Sequence, residues 1–227
     1  MITSERVLLR DEIRMEELLR CLREGGVMIY PTETIYSLGG ALSSTKATQS
    51  VFNLKRRNVH EALNSIVYDL RQAEGFANIR FDLEARLLME FGQRGLTVVL
   101  NAHPWVATEP RGGGPTLGVR LATTELTRFL TQRVAEPLTN ISAGYSLVRD
   151  ADNSTIVQYP SSIYDISSDI LDHVDYVIEA EQKPTGLPST MVRVVSEDRI
   201  VLLREGVLDK REIAQLGITI EPSEAAG

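Results

Sequence analysis

Short apolar runs of two different periods alternate along this chain, and that alternation limits the folds open to it. Met15, Leu18, Leu19 and Leu22 recur at helical spacing, and Gly25 and Gly26 follow as a stop. Val27 to Tyr30 then forms an unbroken apolar strand ended by Pro31, and a polar loop is predicted over Thr32 to Ser37. Ser43 or Ser44 caps a second helix with Ala47, Val51 and Leu54 on its apolar face. Further strands are expected at 65–68, 97–100, 117–121, 138–142 and 176–179, and helices near 83–91, 124–135 and 162–171. A long loop is expected over Asn101 to Thr116 and a polar segment from Ser142 to Ser154. Met191–Val195 and Ile200–Leu203 read as a hairpin, and Asp209 with Glu212 opens a short last helix that stops at Gly217. The pattern predicts a single α/β (α+β) domain over residues 1–220, a twisted mixed sheet flanked by helices, with 221–227 as a frayed tail.

Composition narrows the function. A net charge of −7 gives no general support for nucleic-acid binding, although a local basic cleft can coexist with an acidic exterior. The single cysteine, Cys21, rules out an intramolecular disulfide and any site built on several thiolates. His60, His103 and His173 are scattered without metal-ligand spacing, so no protein-held metal is expected. With neither a signal peptide nor an apolar run of membrane length, the chain reads as soluble and cytoplasmic, with no membrane partner.

The residues that attract attention sit at element ends. Pro31-Thr32-Glu33-Thr34-Ile35-Tyr36 places two hydroxyls, a carboxylate and a phenol where a buried strand opens, and a capped polar loop is the simpler account of it. Lys55-Arg56-Arg57 either stabilises a helix terminus or clamps a phosphate. Asn140-Ile141-Ser142-Ala143-Gly144 leaves a strand with small residues that let a ligand approach the backbone, or forms a plain turn. Pro188-Ser189-Thr190 opens the hairpin and Arg204-Glu205-Gly206 closes it. Arg120 lies in a central strand and needs a carboxylate or a ligand. No nucleophile elbow surrounds Ser142, and Arg111-Gly112-Gly113-Gly114-Pro115 lacks the Lys and Ser/Thr of a P-loop.

Taken in order, these pieces resemble the YrdC-like family of threonylcarbamoyl-AMP synthases, from about residue 13 to residue 208. The resemblance rests on Gly25 to Gly39 with its Pro-Thr-Glu-Thr, on Lys55 and Arg57, on Val119-Arg120, on Ser142, on Ser189-Thr190 and on Leu203-Arg204-Glu205-Gly206. It implies a YrdC/RibB-like fold and an enzyme that condenses L-threonine, bicarbonate and ATP into threonylcarbamoyl-AMP for tRNA modification. No enzyme nucleophile is implied, so no residue is assigned a catalytic role beyond positioning and electrostatics. Lys55, Arg57, Ser142 and Arg204 would hold ATP, with Mg2+ across its phosphates. Thr32, Thr34, Arg120, Asn140, Ser189 and Thr190 would hold the amino acid and its carbamate. The alternative is a paralogue that binds RNA or a nucleotide in the same basic cleft without turnover. Several family positions are altered: Ser37 replaces a glycine, Gly144 an asparagine, Ala122 a proline, Gln93-Arg94-Gly95 a Pro-Gly-Pro turn and Arg193 an aspartate. The chain therefore resembles a diverged member, and it has no room for the extra C-terminal domain of the longer ones.

Overall fold

The computed structural model describes residues 5–7, 12–144, 146–149, 155–180 and 182–223. In chain order its elements are β1 (Glu5–Val7), α1 (Glu12–Arg23), β2 (Met28–Pro31), β3 (Tyr36–Gly39), α2 (Thr45–Lys55), β4 (Asn64–Val67), α3 (Leu70–Glu74) and β5 (Ala77–Asn78). They continue with α4 (Asp82–Phe91), β6 (Leu96–Ala102), β7 (Thr116–Leu121), α5 (Glu125–Val134), β8 (Leu138–Ser142), β9 (Ser146–Arg149) and β10 (Thr155–Gln158). The last are α6 (Ser168–Leu171), β11 (Tyr176–Ile178), β12 (Thr190–Ser196), β13 (Arg199–Arg204), α7 (Lys210–Ala214) and β14 (Thr219–Pro222). Among the described residues one large mixed sheet runs β1-β11-β2-β3-β8-β4-β7-β6-β12-β13-β14, with β5 beside β6, while β9 and β10 pair separately. Parallel pairs (β4 with β7, β6 with β12) sit among antiparallel ones (β3 with β8, β6 with β7), so this is the single-domain mixed α/β fold that the alternating periods predict.

Period-2 alternation decides which side of the sheet is greasy. Leu96, Val98 and Leu100 of β6, Leu117 and Val119 of β7, and Val192 and Val194 of β12 are buried with Leu83, Leu87, Leu88 and Phe91 of α4. The intervening residues of β7 (Thr116, Gly118, Arg120) face the other way. A second cluster packs Ile29, Leu38, Ala47, Val51, Phe52 and Ile166, and a third packs the predicted face of α1 against Leu126 and Leu130 of α5. The α1 helix stops where Gly25 takes a left-handed φ of 82° and Gly26 N–H returns to the Cys21 carbonyl at 2.8 Å.

Several local expectations change or are resolved. The predicted polar loop ends early, because Tyr36 and Ser37 already belong to β3, antiparallel to β2. β3 approaches β8 so closely that a Cβ on Gly39 would stand 1.7 Å from the Thr139 carbonyl oxygen, which makes glycine obligatory there. The helix expected over 162–171 is broken into a 3-10 turn, Ile163–Asp165, and the four-residue α6. Asp165 causes the break: its carboxylate accepts from the Ser161 and Ser162 N–H groups, both at 2.9 Å, and Ile166 leaves in an extended conformation. Ser44, not Ser43, caps α2, accepting from Ala47 N–H at 3.1 Å. Glu221 and Pro222, placed by expectation in a frayed tail, pair with β13 as part of β14, and residues 224–227 lie outside the described residues. The polar segment to Ser154 contains β9, and residues 145 and 150–154 lie outside the description as well. Among the described residues no helix is long and apolar enough to cross a membrane.

Candidate functional site

The open face of the sheet carries a cavity of about 430 Å³. Lys55, Arg57, Arg120, Asn140, Ser142, Ser189 and Arg204 all stand on its wall, although they come from distant parts of the chain. The lining has four cations and no carboxylate. A volume of this order suits a small molecule, and four converging cations select an anionic one.

Local geometry explains how each cation gets there. Lys55 ends α2, and Arg56 takes a left-handed φ of 47° that turns the chain sharply. Three consecutive cations cannot share one helix face, and this turn lets Lys55 and Arg57 reach the same hollow from helix and loop. Burial, and secondarily the neighbouring Arg57 charge, pulls the Lys55 ammonium from its ordinary 10.5 down to about 8. Arg57 braces the loop after it, donating to the carbonyls of Glu61 and Ala62, each at 3.3 Å, and pairing with the Glu61 carboxylate at 3.0 Å.

Arg204 closes the opposite wall. Its Nε and Nη2 donate to the Ser189 carbonyl at 3.0 and 2.9 Å, and Nη2 also reaches Ser189 Oγ at 3.0 Å. Burial holds its pKa below the ordinary value; Tyr159 opposes this and Arg120 adds to it. Thr97 donates to Ser189 Oγ at 2.9 Å from behind. With both interactions accepted, the Ser189 hydroxyl hydrogen remains for a ligand.

Arg120 is only 2% exposed. Its Nη2 pairs with the Glu33 carboxylate, whose other oxygen accepts from Thr123, and its Nη1 donates to Thr34 Oγ1 at 3.1 Å. Its Nε is buried without a partner among the described residues. The pair with Glu33 and the bond to Thr34 therefore leave one buried donor of this cavity-wall guanidinium unspent.

Thr32, Thr34 and Thr190 are not on this cavity's wall, and their hydroxyls are engaged by neighbouring elements. Thr32 closes the β2–β3 turn, accepting from Ile35 N–H at 3.1 Å and donating to the Ile35 carbonyl at 2.8 Å. Thr34 joins Thr32 to Arg120. Thr190 clips the chain after β13, accepting from Gly206 and Leu208 N–H at 2.9 and 3.1 Å and donating to the Leu208 carbonyl at 2.6 Å. Thr190→Val removes all three bonds inside the protein, so a loss of about 1–3 kcal/mol is expected. Calorimetry would show it as a melting temperature lower by roughly 2–12 °C.

The altered family positions are also accounted for locally. Ala122 N–H donates to the Val67 carbonyl at 2.7 Å, a bond a proline could not make. Gly95 in Gln93-Arg94-Gly95 turns the chain with a left-handed φ of 83°. Arg193 is exposed on β12, and Ser142 donates its hydroxyl to the Gly144 carbonyl within its own loop. The Arg111 segment is structural, because its guanidinium clamps the carbonyls of Val106, Ala107 and Gly114. Asn64 and Tyr159 on the wall and Thr97 behind Ser189 were not among the candidates, whereas Glu33 lies in the singled-out 31–36 stretch. The signal for Asn64 lay in strand period, since β4 begins one residue before the predicted strand.

The fold and cavity define an α/β domain whose open sheet face gathers four cations from three separate segments. Residues 20–206 match the Sua5/YciO/YrdC profile, described as telomere recombination, and the chain belongs to this family. It is 27% identical over 201 residues to a putative threonylcarbamoyl-AMP synthase of Methanocaldococcus jannaschii, covering 88% of this chain and 89% of that one. It superimposes on the crystal structure of Pyrococcus abyssi Sua5 complexed with L-threonine with a TM-score of 0.81 at 25% identity, covering 95% of this chain and 62% of that one. Escherichia coli YciO shares the fold, with a TM-score of 0.72 at 20% identity over 91% of this chain and 97% of that one.

Proposed function

We propose that this chain is a threonylcarbamoyl-AMP synthase, joining L-threonine, bicarbonate and ATP with release of water as the carbamate forms and of pyrophosphate as it is adenylated. The observation that carries this reading is the carboxylate-free cavity walled by Lys55, Arg57, Arg120, Ser189 and Arg204. The resemblance to synthases, one of them crystallised with threonine, supplies the substrates.

Two anions must meet here, a carbamate and a triphosphate, and in water they repel. Lys55, Arg57 and Arg204 suit the phosphates, and Arg120 with Ser189 suits the carboxylate and carbamate. The carbamate oxygen bonds to the α-phosphorus while the bond to the departing pyrophosphate breaks. No protein nucleophile enters; the fixed cations stabilise the charge that builds on the phosphoryl oxygens. The described residues contain no cluster of three or more His, Cys, Asp or Glu side chains, and the wall donors are cationic, so they do not fit a resident metal. Mg2+ arriving with ATP would be held by phosphate and water oxygens, and no residue is assigned to it. A walled hollow of about 430 Å³ also fits small substrates better than an RNA surface.

The test is pyrophosphate release from ATP and bicarbonate with threonine, serine, valine or no amino acid. Threonine-dependent release supports the proposal. Salt-sensitive RNA retention without release under any condition supports the competing binding module.

The position of Lys55 adds a pH dependence. The ammonium form attracts polyphosphate, and in the free protein that form is lost as pH rises through about 8. ATP affinity measured by titration calorimetry is therefore expected to fall above that point, by at most about tenfold per pH unit. Stability moves the other way: the folded pKa lies below the ordinary 10.5, so the unfolded chain holds the extra proton between about 8 and 10.5 and stability rises across that window.

A further inference from the structure

Beneath the cavity, three polar side chains that would gain nothing from being buried alone are joined. Tyr30 and Ser37 are fully buried and Asn140 is 5% exposed. Tyr30 donates its hydroxyl to the Thr139 carbonyl at 2.8 Å. Its hydrogen is thereby spent, and toward Asn140 it can only accept. Asn140 Nδ2 lies 3.4 Å from the Tyr30 oxygen and 2.6 Å from Ser37 Oγ. Tyr30 thus fixes which way the carboxamide faces, and Ser37 supplies the short bond that holds it. The Oδ1 end receives no hydrogen bond from the described residues, and Asn140 is part of the cavity wall. Ser37 stands where the family pattern has glycine, so in this chain the holding hydroxyl is an addition.

We propose that Ser37 is a positioning residue that locks the Asn140 carboxamide with Oδ1 toward the cavity, where it accepts a hydrogen bond from a ligand N–H or O–H. Among four cations, an oriented neutral acceptor discriminates: it rewards a ligand carrying a donor and leaves an analogue without one unpaired. Two sources offer that chemistry, the amino acid (amine or side-chain hydroxyl) and the nucleotide (adenine amino or ribose hydroxyl). Their identity, though not the locked amide itself, rests on the synthase reading above.

The test compares wild type, Ser37→Gly, Asn140→Ala and the double variant, using titration calorimetry with L-threonine and with ATP separately. Asn140→Ala is expected to weaken one of the two ligands by about tenfold and to leave the other within about twofold, as for loss of one buried hydrogen bond. Ser37→Gly is expected to weaken the same ligand by a smaller factor, and the double variant to match Asn140→Ala, because Ser37 acts only through Asn140. The affected ligand identifies the source of the donor. Equal losses for both ligands, factors that multiply in the double variant, or lowered melting temperatures with unchanged affinities would each overturn the proposal. Wild type that binds threonine and ATP without releasing pyrophosphate would remove the synthase reading and leave this inference standing. Wild type that binds neither would remove both.

Discussion

Arg120→Leu is expected to lower stability by about 3 kcal/mol and to abolish threonine binding. Removing one partner of a buried ion pair costs roughly 3–5 kcal/mol, because the other charge is left uncompensated. Glu33 has a side chain 26% exposed and keeps its bond from Thr123, which places the effect at the low end of that range. For a chain of this length, about 3 kcal/mol corresponds to a fall in melting temperature of roughly 6–12 °C. The diagnostic is a second change. Glu33→Gln in the Arg120→Leu background removes the orphaned charge, so it is expected to recover at least about half of the lost stability while binding stays absent. Calorimetric melting and threonine titration of both proteins separate the two roles of Arg120. Full recovery of threonine binding in the double variant would show that the buried Nε serves no ligand.

The second large effect is on the nucleotide. Lys55→Ala is expected to raise the Kd for ATP by about 10- to 150-fold, the equivalent of one charge-assisted contact worth roughly 1.5–3 kcal/mol. Because burial already disfavours the ammonium, its removal relieves a desolvation cost, and the melting temperature should stay within about 2 °C of wild type at neutral pH. The loss of ATP affinity above pH 8 should vanish with it, since the group that titrates there is gone. Persistence of that pH step in Lys55→Ala would assign it to another residue. Arg57→Ala should behave less cleanly, because its guanidinium also braces Glu61 and Ala62.

What could be read from the chain, and what could not, divides along sequence distance. Helix faces and strand runs are local, so α1, α2, α4, β6, β7 and the β12–β13 hairpin are legible from period and capping. The cations and Ser189 were legible because they break local rules: an arginine inside a strand, three cations closing a helix, a hydroxyl at a hairpin mouth. β3 was not, because Tyr36-Ser37-Leu38-Gly39 is only four residues long with a serine and a glycine in it, and it owes its strand state to pairing with β2 and β8. Thr190 is a ligand contact only by the family resemblance, and no local pattern announces the partners its hydroxyl finds inside the protein, Gly206 and Leu208, 16 and 18 residues later. The Ser37–Asn140 bond spans 103 residues, and no local pattern announces it.

What leaves the cavity can be read directly by incubating the protein with ATP, threonine and 13C-bicarbonate and examining the products by mass spectrometry. A threonylcarbamoyl-AMP synthase yields an adenylate carrying threonine and one labelled carbon, formed only when all three substrates are present. An adenylate of threonine without the label, or AMP and pyrophosphate produced in equal amounts with threonine omitted, would contradict the synthase reading.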